Sequence, residues 1–162
     1  MSHEIRDLIR RVVRDLQPKM QLSPEDTATL LQELRGLTRE EALARISMFD
    51  VNGLLVRSRN DLAAHQKPFA LDGPPSNDFA ECVTRIRPTA IVGVSTVGGA
   101  FTRQVIENMS AVNVRPVIFP YSNPTSRSEC TAEQAYTWSR GKAIFASGSP
   151  FAPVTYKGRT FT

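Results

Sequence analysis

PVIFPYSNPTSRSECTAEQAYTWSRGKAIFASGSPF, residues 116 to 151, is the stretch that decides the fold. The apolar run 116 to 121 reads as a buried strand and opens directly into a polar turn, Ser122-Asn123-Pro124-Thr125. Thr131 and Gln134 then have the spacing of a capping box, which starts a short helix. A second apolar strand, 143 to 146, ends in Ser147-Gly148-Ser149-Pro150. Strand, loop, helix, strand is the repeating unit of a parallel α/β sheet, and such sheets bind ligands at the carboxyl ends of their strands. Both polar turns lie at such ends, so the stretch reads as a site.

The pattern continues upstream. Residues 90 to 94 form a fully apolar strand, followed by a helix from about Thr102 that carries Phe101, Val105 and Met109 on one side. Phe79, Cys82, Val83 and Ile86 mark another helix, closed by Pro88. Thr38 with Glu41 caps a short helix reaching about Ala44, and a strand at 46 to 49 ends on Asp50 before Asn52-Gly53 turns the chain. The stretch 57 to 76 reads as loop, and the tail from Ala152 as extended chain. Further toward the start, Ile5, Leu8, Ile9, Val12 and Leu16 recur at helical spacing. Ser23-Pro24-Glu25-Asp26 opens a second helix, whose apolar side is Leu30, Leu31 and Leu34 and whose end is Gly36.

Composition excludes several classes. With 162 residues, 41% hydrophobic and 22% charged, the chain is an ordinary globule of one domain. The net charge of +4 forms no basic stripe: residues 1 to 45 hold eight basic and eight acidic side chains, the remainder twelve and eight. No nucleic-acid partner is expected, nor a membrane, since nothing approaches a spanning length. No apolar signal segment opens the chain, so a cytoplasmic location is the default expectation. Cys82 and Cys130 lack the spacing of a metal site, and Cys82 falls on an apolar helix face, where packing is its role. His3 and His65 have no partner at catalytic spacing and read as surface.

The wording of these segments resembles the cofactor-binding domain of malic enzymes, which decarboxylate malate oxidatively to pyruvate. The matching pieces are LTREEALARISMFDVNGLLV (37 to 56), IVGVSTVGGAFT (91 to 102), SNPT (122 to 125), ECTAEQAY (129 to 136) and IFASGSPF (144 to 151), in the expected order. The resemblance covers 37 to 162, leaving 1 to 36 as a helical N-terminal extension. It implies a Rossmann-like parallel sheet, here with about four core strands near 46 to 49, 90 to 94, 116 to 121 and 143 to 146. It also implies NAD or NADP as cofactor and an oxidoreductase role.

Candidate site residues follow. Asp50, at the end of its strand, can accept hydrogen bonds from adenosine ribose hydroxyls, or simply cap a turn. Beyond it, Gln66 stands where the family discriminates NADP by a basic residue, which leans toward NAD; neighbouring Lys67 keeps NADP open. Gly98-Gly99, between strand and helix, serves close ligand approach or a tight turn equally well, and the resemblance adds cofactor contacts at Val94 and Ser95. Asn123 can donate to a carboxylate and accept from a hydroxyl, and in malic enzymes its counterpart lies beside both malate and the nicotinamide; Ser122 accompanies it.

Residues 1 to 52 contain one glycine, Gly36, so the glycine-rich phosphate loop and first strand of a dinucleotide fold are not expected there, and cofactor affinity is expected to be weak or lost. The general-acid tyrosine, general-base lysine and acidic metal ligands that malic enzymes carry in a separate domain have no counterpart, so the family's divalent metal has no ligands here. A lost first strand leaves 46 to 49 to pair directly with 90 to 94, or to borrow a strand from a homo-oligomer or a partner chain. Three functions stay open: a malic-enzyme-type component that is not competent alone, a diverged binding or regulatory module, and an inactive truncated relic.

Overall fold

The computed structural model of the protein describes residues 38 to 161. The helices expected within 1 to 36 lie outside the described residues, as does most of the stretch 1 to 52 in which no phosphate loop is expected. Three strands form a parallel sheet in the order β3 (Ala90–Gly93), β4 (Val117–Pro120), β5 (Ile144–Phe145). Ile91 is in register with Ile118, and Ile118 with Phe145. This is the Rossmann-like α/β architecture expected from the sequence, built from three of the four anticipated strands.

The helices between and before these strands supply the core. α2 (Phe79–Ile86) is capped by the Asp78 carboxylate and stops at Arg87, whose left-handed backbone precedes Pro88. α3 (Arg103–Val112) is capped by Thr102, and α4 (Ala132–Trp138) by the expected Thr131–Gln134 box. Val83, Val105, Ile106, Met109, Ala135 and Tyr136 from these helices pack with Ile91 and Ile118 from the sheet. Along β3 and β4, alternate residues point away from that core. Val92 stays 44% exposed and Phe119 half-buried, so one face of the sheet is covered and the other is open to solvent among the described residues.

The segment 46 to 49 corrects the four-strand expectation. After α1 (Arg39–Leu43), capped by the expected Thr38–Glu41 box, the chain forms β1 (Phe49–Asp50), which pairs antiparallel with β2 (Gly53–Leu54). The physical reason is the turn itself. The Asn52 amide donates to Asp50 Oδ1 at 2.9 Å, and Gly53 takes a φ of +107°, so a two-residue loop reverses the chain at once. The reversal gives β1 its own neighbour β2 as partner, and no strand pairing joins this hairpin to the parallel sheet. Direct pairing of 46 to 49 with β3 is therefore absent, and the outer edge of β3 has no strand partner among the described residues.

Leu54 and Val56 instead pack with Cys82 of α2, forming a second small core beside Phe49, Leu71 and Ile86. The stretch 57 to 76 is loop as expected, apart from one 3-10 turn, Lys67–Phe69. The tail is more ordered than its sequence suggested. β6 (Val154–Tyr156) and β7 (Arg159–Phe161) form a hairpin closed by Lys157-Gly158, both at positive φ. It seats Phe161 on Tyr136 with ring centroids 3.9 Å apart. No helix among the described residues is long and apolar enough to cross a membrane.

Candidate functional site

Three loops leave the carboxyl ends of β3, β4 and β5, and hydrogen bonds tie them to one another. Tyr121 N donates to Gly93 O at 2.8 Å, joining the ends of the first two strands. Gly148 N donates to Pro120 O at 3.3 Å, joining the third to the second. The close approach is steric as well as polar: a Cβ at Gly148 lies 2.3 Å from Tyr121 O, and one at Gly98 lies 2.8 Å from Ser126 O. Gly98 thus serves loop-to-loop packing, while Gly99 (φ +78°) faces open space and supplies the backbone turn.

Asn123 is exposed at the tip of the loop after β4, and its peptide bond to Pro124 is cis. Its Oδ1 accepts a hydrogen bond from Ser149 Oγ at 3.0 Å, and Ser149 itself is buried. Ser147 Oγ donates to the Ser149 carbonyl at 2.7 Å, which firms the second loop. With Oδ1 occupied, the two protons on Asn123 Nδ2 are left for an external acceptor. The residue is presented as a donor, suited to a carboxylate or carboxamide oxygen.

Ser122 and Ser95, the other expected contacts near this point, face inward. Ser122 Oγ donates to Glu129 Oε1 at 2.5 Å and accepts from Thr96 N at 2.8 Å. Ser95 Oγ donates to the same oxygen at 2.8 Å and accepts from Val97 N at 3.2 Å. Both hydroxyl protons are therefore committed internally. Thr96, a β-branched residue, sits at φ +57°, a conformation that costs of order 1–3 kcal/mol and clusters at functional sites. Val94 is 55% exposed on the open side of the sheet.

A second cluster gathers around Asp50. Arg59 grips its carboxylate with two bonds, Nη1 to Oδ1 at 2.9 Å and Nη2 to Oδ2 at 3.0 Å. Gln66 Nε2 donates to Oδ2 at 3.3 Å, so the fold brings together two residues that the sequence suggested separately. The hydrogen bonds from Arg59 are the main reason that Asp50 is held below the usual carboxylate range. Arg59 also bridges to Asp61 at 2.6 Å and depresses that carboxyl too. A ribose hydroxyl approaching Asp50 must share an oxygen that already accepts from the protein. Lys67 stands next in sequence to Gln66, exposed and with no ion-pair partner among the described residues.

Three participants were not legible in the sequence. Arg59 gives no periodic signal in a polar loop, and Ser149 sits in a turn that could serve any strand end. Glu129 looks like a surface acid beside Cys130, yet it is buried at 1% exposure. Its partners lie 34 and 7 residues away, so local pattern cannot reveal them.

Comparison with known proteins gives this geometry its context. Residues 26–162 match the model of the family described as malic enzyme, NAD binding domain. The chain belongs to the malic enzyme family. It is 53% identical over 123 residues to the chloroplastic NADP-dependent malic enzyme of Flaveria trinervia, a match covering 75% of this chain and 19% of that protein. It is 52% identical over 123 residues to NADP-dependent malic enzyme 1 of Arabidopsis thaliana, covering 75% of this chain and 21% of the relative. The chloroplastic NADP-dependent malic enzyme of Solanum lycopersicum is 48% identical over 127 residues, or 78% and 22% of the two chains. The chain thus spans about a fifth of the length of these malic enzymes, and the family model that it matches is that of an NAD binding domain.

Proposed function

We propose that this chain provides the nicotinamide side of a malic enzyme cofactor site, acting in the oxidative decarboxylation of malate to pyruvate and not competent by itself. The observation that carries the reading is Asn123. It stands exposed beyond the carboxyl end of the central strand, with its carbonyl oxygen accepting from Ser149, which leaves its amide protons for a ligand. Such a group suits the carboxamide of a nicotinamide or the carboxylate of a 2-hydroxy acid, the two ligands that meet at a hydride transfer. Bound NAD(P) supplies the hydride acceptor; the chain's own residues bind and orient.

NADP is the proposed cofactor in preference to NAD. The relatives named above are NADP-dependent, and the exposed Lys67 ammonium next to Gln66 offers a 2′-phosphate a counter-charge. Among the described residues no group of three or more His, Cys, Asp or Glu could hold a metal ion. The proposal therefore assigns metal and proton-transfer chemistry to polypeptide outside the described residues. The unpaired edge of β3, beside exposed Val92 and Val94, is the place where further polypeptide would continue the sheet.

Calorimetric titration of the purified chain with NADP and with NAD tests the reading. Saturable binding is expected, tighter for NADP, weakened in Asn123→Ala and losing its NADP preference in Lys67→Ala. Flat traces up to millimolar nucleotide would end the cofactor reading and leave a diverged binding module or a relic on the same fold.

A further inference from the structure

Glu129 is the most completely buried carboxylate of the described residues, and it lies under the two loops that the proposed site uses. Its oxygen Oε1 accepts from Ser95 N at 2.9 Å, Ser95 Oγ at 2.8 Å and Ser122 Oγ at 2.5 Å. Oε2 accepts from Ser122 N at 3.3 Å. Its own carbonyl accepts from Phe101 N at 2.9 Å, just before α3 begins. Four donors from two loops thus converge on one side chain, and Ser122 Oγ passes the connection on to Thr96 N. The carboxylate has its place because Gly93 has no side chain: a Cβ there lies 2.4 Å from Glu129 Cδ and 2.6 Å from Oε2.

We propose that Glu129 is a positioning residue. It locks the loop after β3, with Thr96 at its strained φ, to the loop after β4, and so fixes where Asn123 meets a nicotinamide. A carboxylate suits this task because it is acceptor-only, matching four donors with no donor of its own. The inference rests on the cofactor reading above for its functional meaning, but the coupling of the two loops stands on hydrogen bonds alone.

Glu129→Gln preserves volume and fails chemically. If its carbonyl oxygen takes the Oε1 position, its amide protons point at the Ser122 N–H; if reversed, they point at the Ser95 N–H and at two hydroxyls that must turn from donating to accepting. Either way a donor of one loop loses its acceptor, and because both loops are held by this one side chain the other loop is expected to loosen with it. The first measurement is amide hydrogen exchange on the full chain. Glu129→Gln is expected to lose protection at Ser95, Thr96 and Ser122 together, while Ile91 and Ile118 in the strands keep theirs. Protection lost in only one loop, or evenly throughout the domain, overturns the coupling. Should Glu129→Gln fail to fold, Ser122→Ala, which deletes the hydroxyl linking Glu129 to Thr96, decides the same question by the same pattern.

The second measurement separates positioning from mere support. The folded variant is expected to bind NADP about tenfold or more weakly, a loss in line with a broken charge-assisted contact. 2′,5′-ADP, which lacks the nicotinamide half, is expected to bind both proteins within about twofold. Equal losses for the two ligands overturn the positioning role. If the unaltered chain binds no nucleotide, the cofactor reading falls, and the exchange pattern still decides whether Glu129 couples the loops.

Discussion

Gly148→Ala tests how the loops at the carboxyl end of the sheet are pressed together. Gly148 does not occupy a positive φ, so alanine can adopt its backbone conformation. Elsewhere such a change stabilises by about 0.4–1 kcal/mol through the unfolded chain. Here the added methyl carbon meets Tyr121 O at 2.3 Å, Tyr121 C at 2.9 Å and Tyr121 Cα at 3.2 Å. All three atoms are backbone, so no side chain can swing aside. Relief to ordinary contact requires a separation of about 1 Å between the two loops.

That movement stretches the Gly148 N to Pro120 O hydrogen bond, already 3.3 Å long, beyond a useful distance. Overpacking costs about 1–3 kcal/mol and the lost bond about 1 kcal/mol, so the steric terms exceed the entropic gain. The expected net loss is about 2 kcal/mol, a fall in Tm of roughly 4–8 °C for a domain of this size. Urea unfolding followed by far-ultraviolet circular dichroism measures it. The same substitution at Gly99 is the control: its methyl meets nothing within 4 Å, and only the φ of +78° resists it, at about 1–2 kcal/mol. A loss below about 0.5 kcal/mol at Gly148, or a gain, would show that the loops are not in contact as described.

Two further outcomes follow from the charges. Asp50 and Asp61 are held below their unfolded values by Arg59, so their contribution to stability is complete above about pH 4 and is lost as pH falls through the folded values. The urea midpoint should therefore fall below that pH in the parent chain, and fall less steeply in Arg59→Gln; parallel profiles would remove Arg59 as the cause. Burial, with the charge of Glu129 adding to it, pushes the Cys130 thiol up to about 12. Its thiolate fraction near pH 8 is then about one in ten thousand, so an aromatic disulfide reagent should modify it only on unfolding; rapid native-state labelling at Cys130 would contradict its burial.

Much of the fold was legible because its signals are local. The Thr38–Glu41 and Thr131–Gln134 boxes each lie within four residues, and a hydroxyl three positions before an acid or amide makes the same hydrogen bonds in almost any context. The apolar runs at 90 to 94 and 116 to 121 announced strands, and a parallel ladder joins them, with one face covered and the other open. The segment 46 to 49 pairs differently from the expectation, although Asn52-Gly53 marks a turn in the sequence. Its apolar character does not state a partner, and the tight reversal at Gly53 decided in favour of its own neighbour β2. The tail hairpin leaves no local signal because three-residue strands are too short to show alternation, and the stacking of Phe161 on Tyr136 is a contact between distant parts of the chain.

For the candidate site the division is sharper. Sequence by itself determined the α/β class, the family and the loops at which ligands meet a parallel sheet, because these depend on periodicity and on residues adjacent in the chain. Only the tertiary structure decided what each polar side chain is doing. Ser95 and Ser122 turn inward, Asp50 is gripped by Arg59, and Asn123 is oriented by Ser149. A hydrogen bond is settled over about 3 Å of space, and these partners stand between 7 and 34 residues apart. Glu129 marks the limit: as a letter it is one acid among 16, and only the fold buries it where donors from two loops meet.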